Sequence, residues 1–356
     1  MFRCKYCLLP AIVPGAAIDA EGVCAFCRTY DPSQEARAEA AREQYAIDLE
    51  AALRGCQGQG QYDALVCLSG GKDSLYLLYR LTMEYKLNVL AFTTDVNIPE
   101  VAWSNIRRTI AKVGCDHMVY RPTDVFYRKL FRYLLQNQEQ RGAVYTVSYV
   151  YAPLFEGDAL RVALEKGIPL VLAGYSPGQP APERMVYEFS RKLICETDWT
   201  PPALQKVVSF TPADLNRFWN PGQYPTGTRF PRYLAPFHAW PYDQAQIIRQ
   251  VFELGLVARR SNASPVYSNY PINWLLMYSD LRHFGFNPYA PEFAELIRRR
   301  KANRLYWRAM APFVDFMIRH RVLLGRTTVE QMRWLGLEEE DLKVTLPKGA
   351  YDPPFQ

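Results

Sequence analysis

Apolar positions along the first half of the chain alternate between two rhythms. Short apolar runs at 62–68 (YDALVCL), 87–94 (LNVLAFTT), 117–121 and 168–173 (IPLVLA) have the length of buried strands. Between them lie stretches with helical spacing at 75–85, 101–113, 124–136 and 154–166. Strands that alternate with helices predict a doubly wound α/β fold with a parallel sheet. A helix rich in Ala, Glu and Arg is expected ahead of them at 31–55, with Ser33 as its cap and Gly55 as its stop.

The alternation fades after Ser176. Pro and Gly crowd SPGQPAP, the TPP at 200–202 and WNPGQYPTGTRFP at 219–231, which reads as long loops laid over a surface. Helical spacing returns at 244–254, 273–284, 291–299, 304–320 and 328–335. The organisation predicted is residues 1–30 as a cysteine-bearing unit, 31–60 as a linking helix, 61–180 as the α/β domain and 181–356 as a loop-rich, helical acceptor-binding region. No repeat and no low-complexity tract interrupts it.

Composition fits this picture: 356 residues, 49% hydrophobic and 22% charged, make ordinary globular protein, with size enough for a large core. The net charge of +6 leans towards anionic partners without choosing among nucleotides, sugar nucleotides and RNA. The apolar run at 8–18, broken by Pro10 and Pro14, is not read as a signal peptide, and no run reaches the length of a membrane span, so a cytoplasmic protein is expected. Of eight cysteines, Cys4, Cys7, Cys24 and Cys27 form two CxxC pairs separated by sixteen residues. That is the spacing of a four-thiolate zinc ribbon, and the same four ligands also permit an iron–sulfur cluster. Disulfides are disfavoured in a large chain whose other cysteines are isolated.

The candidate chemistry sits where the first strand ends. Ser69-Gly70-Gly71-Lys72-Asp73-Ser74 follows the strand directly and opens a helix. Five specified residues make a chance match about one in a million per position. Glycines admit close approach of backbone N–H groups to phosphate oxygens, the helix N-terminus adds positive potential, and the Lys ammonium and Ser hydroxyls complete a pyrophosphate cradle. Adjacent glycines followed at once by Lys distinguish it from a Walker A loop.

The pattern SGGxDS resembles the PP-loop of the adenine nucleotide alpha hydrolase-like ATP pyrophosphatases. That resemblance implies ATP cleaved between its alpha and beta phosphates, with Mg²⁺ on the leaving pyrophosphate. It makes Lys72, Asp73 and Ser74 the candidate catalytic side chains, with Ser69, Gly70 and Gly71 beside them in nucleotide binding. The end of the second strand, with Thr93 and Asp95, resembles the family's adenine-holding edge, and Gly174 resembles a nucleotide-facing turn. Together with CKYCLLP and AIDAEGVCAFC, and more weakly with WPYD at 240–243 and SPVYSNYPIN at 264–273, the loop resembles the N-acetyl sugar amidotransferase branch of that family. The branch implies adenylation of a carbonyl oxygen on an N-acetyl sugar or related amide, then displacement of AMP by ammonia.

A tRNA or small-molecule thiolase using the same adenylate is the rival. The region at 145–151 (YTVSYVY) lacks the extra cysteine such relatives often carry, and Cys67, like Cys56, Cys115 and Cys195, reads as a packing thiol. Residue 2 is Phe rather than Cys, so ammonia is expected free or from a separate glutaminase. The basic stretch from Arg298 to Arg308 reads as a solvated helix face or an anchor for an anionic substrate, with nucleic acid possible and not favoured. The four histidines show no metal spacing, and His238 is the one to test. A homo-oligomer is allowed.

Overall fold

The alternating half of the chain folds into a five-stranded sheet in which every pairing is parallel. The computed structural model describes residues 2–177, 186–268 and 270–352, so most of SPGQPAP lies outside the described residues. Helix α1 (Ser33–Gly55) is followed by β1 (Ala64–Cys67), α2 (Lys72–Tyr79), β2 (Val89–Thr94), α3 (Glu100–Val113), β3 (Asp116–Tyr120), α4 (Asp124–Gln136), α5 (Ala143–Glu165) and β4 (Leu170–Ala173). A fifth strand, β5 (Arg232–Leu234), adds to β4 from a segment whose sequence reads as loop. The four residues between Pro231 and Pro236 are too few for any periodicity to show.

The strand order is β3-β2-β1-β4-β5. The chain leaves β1 in one direction to build β2 and β3, then crosses back to lay β4 on the other side. Loops after β1 and β4 therefore diverge and open a crevice at the carboxyl ends of those two strands, where ligands of open parallel sheets bind.

Side chains alternate across the sheet as a period of two requires. Ala64 and Val66 of β1 join one core with Leu49 and Leu53 of α1 and Leu75 and Leu78 of α2. Leu65 joins the opposite core with Ala159, Leu160 and Ala163 of α5 and with Trp199 and Trp219 from the loop-rich stretch. Both faces are covered, which is why the strands read as unbroken apolar runs.

The longer helices that follow are α6 (Gln244–Glu253), α7 (Ile272–Phe284), α8 (Ala290–Arg298), α9 (Arg304–His320) and α10 (Thr327–Leu335), with short single-turn helices between them. A third core gathers α4, α7, α10 and the end of α9 around Val144, Val147, Val150 and Leu154 of α5. The sequence pattern starts this helix at 154, but α5 begins eleven residues earlier and runs through Pro153. Pro153 removes one helical donor and reads as a breaker. Burial of the aromatic run before it carries the helix through. No helix among the described residues is long and apolar enough to cross a membrane.

The start of α5 is fixed from another helix. Asp280 of α7 accepts the backbone N–H groups of Ala143 (2.5 Å) and Val144 (3.0 Å). Gly142 stands before them at φ +99°, and a Cβ there would collide with the same carboxyl group. Asp280 is fully buried, and burial pushes its carboxyl up to about 7 against those two N–H bonds. Asp280→Ala leaves both donors unsatisfied and is expected to lower the unfolding free energy by about 1–3 kcal/mol. Asp280→Asn keeps an acceptor and should cost less than half as much in chemical denaturation.

Candidate functional site

Six residues turn from strand to helix at the crevice. Gly70 adopts φ +79°, and a Cβ on it would stand 2.5 Å from the Ala102 carbonyl oxygen of α3, so a residue with a side chain would push the loop off that helix. Gly174, at the end of β4, lies against the first turn of α2: a Cβ there would meet the Ser74 nitrogen at 2.8 Å. The crevice therefore closes at its base through two glycines from the two diverging strands.

Hydroxyls hold the turn. Ser74 donates to the Gly71 carbonyl (3.0 Å) and receives the Ser69 N–H (3.2 Å), while the two hydroxyls meet at 3.2 Å. Ser69 Oγ in turn receives the Gly71 N–H at 3.4 Å, a long bond. The first N–H groups of α2 have no carbonyl one turn earlier within the helix, which makes its N-terminus an anion site.

Lys72 and Asp73 are both buried, and their side chains pair at 2.6 Å. The Tyr242 hydroxyl donates to the other Asp73 oxygen at 3.1 Å, and its ring faces the Lys72 ammonium at 6.0 Å. Burial works against the lysine charge, yet the Asp73 carboxylate and then Tyr242 hold its pKa above the ordinary lysine value. Burial likewise pushes the Tyr242 phenol up to about 12. The loop thus presents a fixed cation beside a helix N-terminus, an arrangement suited to polyphosphate. Glu292 of α8 stands within the electrostatic reach of Lys72. Burial, then Glu295, pushes its carboxyl up to about 8.

At the end of β2, Thr93 donates its hydroxyl to the Leu68 carbonyl at 2.6 Å, and His117 Nε2 meets the same oxygen at 2.9 Å. With the Thr93 proton committed, His117 must be the donor there. Burial lowers its pKa. The Thr93 side chain thus ties strand ends together. Asp95 accepts Arg121 Nε at 2.6 Å and the Ile98 N–H at 3.2 Å. The Thr94 hydroxyl is buried there without a partner among the described residues, and Tyr270 stands within the fields of Asp95 and Cys67, its phenol pushed up to about 12 by burial. The sequence does not single out Thr94, Tyr270, Glu292 or Tyr242 individually. Tyr242 and Tyr270 fall within WPYD and SPVYSNYPIN, while Thr94 and Glu292 carry no signal.

Burial holds the other thiols protonated. Cys67 meets the Tyr233 hydroxyl at 3.4 Å and is pushed up to about 12, while Cys56 and Cys115 each rise to about 11. Cys195 also rises through burial.

The four N-terminal cysteines converge, their sulfurs lying within 4.8 Å of one another. One tetrahedral ion about 2.3 Å from each thiolate places sulfurs about 3.8 Å apart. Cys4–Cys27 at 3.8 Å and Cys7–Cys24 at 3.5 Å fit that spacing, so the four residues can hold a single metal ion. Burial opposes a Cys4 thiolate, but the N–H groups of Cys7, Cys24 and Tyr6 outweigh it and draw the thiol down to about 6.

This unit docks on α8 and α9 through Ala294, Ile297 and Trp307. Arg298 and Arg304 of the basic stretch are part of that contact, which corrects their reading as a solvated face or substrate anchor, whereas Arg300 and Arg308 are exposed as a solvated face would have them. Arg298 reaches Cys7 Sγ at 3.4 Å, where its charge would offset thiolates around a bound ion, and Arg304 donates to the Tyr6 carbonyl at 3.1 Å and to that of Lys5. Arg3 pairs with Asp315 of α9 at 3.2 Å.

No family model and no curated protein matches the chain. Among solved structures, it is similar to the U34-tRNA thiolase NcsA from Methanococcus maripaludis with its [4Fe-4S] cluster, at 13% identity over 95% of this chain and 90% of that one, with a TM-score of 0.36. It is also similar to the NMN synthetase from Francisella tularensis, at 11% identity over 80% and 95% with a TM-score of 0.37. A third is the NH3-dependent NAD synthetase from Campylobacter jejuni, at 14% identity over 85% and 97% with a TM-score of 0.35. At these TM-scores the likenesses carry no argument, and the fold and site rest on the geometry above.

Two outcomes are expected. Cys7→Ser should take bound metal from one per chain to none, read by elemental analysis, with a lowered Tm. His238, at the end of the turn Pro236–His238, is held neutral by burial, which lowers its pKa to about 4. The unfolded chain takes up that proton below about pH 6.5. Stability should therefore fall as pH drops from about 6.5 to 4, and His238→Gln should flatten that part of the Tm-against-pH curve.

Proposed function

We propose that this chain is a PP-loop ATP pyrophosphatase of the amidotransferase kind, which adenylates a carbonyl oxygen on an N-acetyl sugar or related amide and replaces that oxygen with nitrogen. The observation that carries the reading is the SGGKDS turn at the switch point of a parallel sheet, with Lys72 charged and buried between Asp73 and Tyr242. In the first step the acceptor oxygen attacks the alpha phosphorus, and the bond to the pyrophosphate oxygen breaks. In the second, ammonia attacks the same carbon, AMP leaves with the oxygen, and an amidine remains.

The residues divide this work. Lys72 and the N–H groups opening α2 stabilise charge that gathers on the departing pyrophosphate. Mg²⁺ arriving with ATP would neutralise further phosphate charge, and the Asp73 carboxylate is the group of the loop suited to it. The ends of β2 and β4, with Asp95 and Gly174, frame the nucleotide side of the crevice. Burial pushes the Cys67 thiol up to about 12, which speaks against Cys67 itself as a sulfur carrier. The four-cysteine unit is proposed to hold structural zinc, since two separated knuckles close four thiolates around one ion at zinc's spacing.

Incubation with ATP, Mg²⁺, ammonia and N-acetyl sugar nucleotides should release AMP and pyrophosphate in equal amounts and depend on the acceptor. ADP and phosphate would sink the mechanism, and turnover with sulfide but not ammonia would make the chain a thiolase. Lys72→Ala should lower kcat by at least about a hundredfold, within the range for loss of one preorganised electrostatic group, and leave metal content unchanged.

A further inference from the structure

Asn105 is fully buried on α3, directly behind the loop. Its amide nitrogen donates to the Gly70 carbonyl at 3.1 Å and to the Asn262 carbonyl at 3.0 Å, which uses both of its hydrogens. Its Oδ1 is buried with no partner among the described residues. An orphaned acceptor lowers stability, so packing alone does not account for an amide at this position. A leucine of almost the same shape would fill the space without that orphan, but would leave the Gly70 and Asn262 carbonyls without their donor.

The bond to Gly70 has a directional consequence. In a trans peptide the C=O and N–H point to opposite sides, and the structure contains no cis peptide among the described residues. Asn105 draws the Gly70 carbonyl back into α3. The N–H of Gly71, on the other edge of the same peptide plane, is thereby turned away from α3 and towards the mouth of the turn. Its present acceptor is Ser69 Oγ at 3.4 Å, a weak partner that a phosphate oxygen can displace, and Gly71 is partly exposed while Gly70 is buried. The positive φ of Gly70 allows this peptide orientation, and the Ala102 carbonyl pressing on Gly70 leaves it little room to turn back.

We infer that Asn105 is a positioning residue that orients the Gly70–Gly71 peptide so that the Gly71 N–H binds the pyrophosphate end of a nucleoside triphosphate, and that ties this cradle to the segment around Asn262. The inference rests on the proposed nucleotide reading of the loop. The second carbonyl belongs to the turn Arg260–Ala263, and Thr109 of α3 donates to the chain just ahead of that turn, at the Leu256 carbonyl, at 3.4 Å. The chain runs on from that turn to Tyr270, which stands near Asp95 at the other end of the crevice. One amide group thus links the floor of the phosphate site to the segment that reaches its far side.

The test is equilibrium binding of inorganic pyrophosphate and of ATP to the full chain, with Tm and metal content measured alongside. Asn105→Leu keeps the volume and removes the orphaned oxygen. It strands the Gly70 and Asn262 carbonyls and should lower Tm modestly, leave metal content unchanged, and weaken pyrophosphate binding about tenfold or more, the effect of losing a well-aimed donor to a charged acceptor. Asn105→Asp, which turns a carboxylate towards two carbonyls, should weaken it at least as much. Amide exchange in the peptide containing Gly71 should quicken in both variants. Asn105→Ser, which keeps one donor, should bind more tightly than the leucine variant, and Asn105→Asp serves as the test if the leucine variant does not fold. Pyrophosphate bound by the leucine or aspartate variant within twofold of the unsubstituted chain would overturn the inference. Failure of the unsubstituted chain to bind either ligand would instead overturn the nucleotide reading on which it rests.

Discussion

A lysine ammonium buried at the positive end of a helix is the placement on which the site depends. Lys72 occupies the first position of α2, where the helix dipole disfavours a cation, and almost no water reaches it. Asp73 and Tyr242 make the placement tolerable, and neither could do so from a flexible support. That requirement propagates outward. Gly174 must be bare so that β4 can lie against the same turn, and Gly70 must be bare so that α3 can approach from the other side. What an unliganded protein finds unfavourable here is what a polyphosphate would relieve.

The sheet supplies only part of this arrangement. Tyr242 and Asn262 come from the chain after β5, and Glu292 from α8, so groups far along the sequence complete a cradle that a six-residue motif begins. Helix α5 lies across the division: its first half sits in the helical core and its last turns lie beneath the strands. A rod shared by two cores resists hinge motion between them. Adjustment on ligand binding then falls to the segments around the crevice.

What could be read from sequence follows from how local each signal is. The bounds of α4 and α9 match the helical spacing, because both are amphipathic over their whole length. The loop and the paired cysteines were visible because their chemistry is compressed into a few adjacent positions. The start of α5 was not, because Pro153 carries a breaker signal that tertiary burial overrides. β5 was hidden by its brevity. Asn105 is the clearest case of information absent from pattern: a polar residue in a helical stretch looks like any solvent-facing position until α3 is seen to bury it against the loop. Arg298 and Arg304 misled for a related reason, since a run of charge gives no hint that a thiolate cluster and its carbonyls lie opposite.

The docking of the first thirty residues on α8 and α9 also bears on how the protein is made. Arg3 and Asp315 are 312 residues apart, so the cysteine knuckles leave the ribosome long before the surface that receives them. At synthesis speeds of about 5 to 20 residues per second the interval is roughly 15 to 60 s. Through that time the knuckles must either hold their ion unaided or remain exposed as reduced thiols. Metal supply during translation, rather than the stability of the finished fold, would then set how much correctly assembled protein a cell obtains.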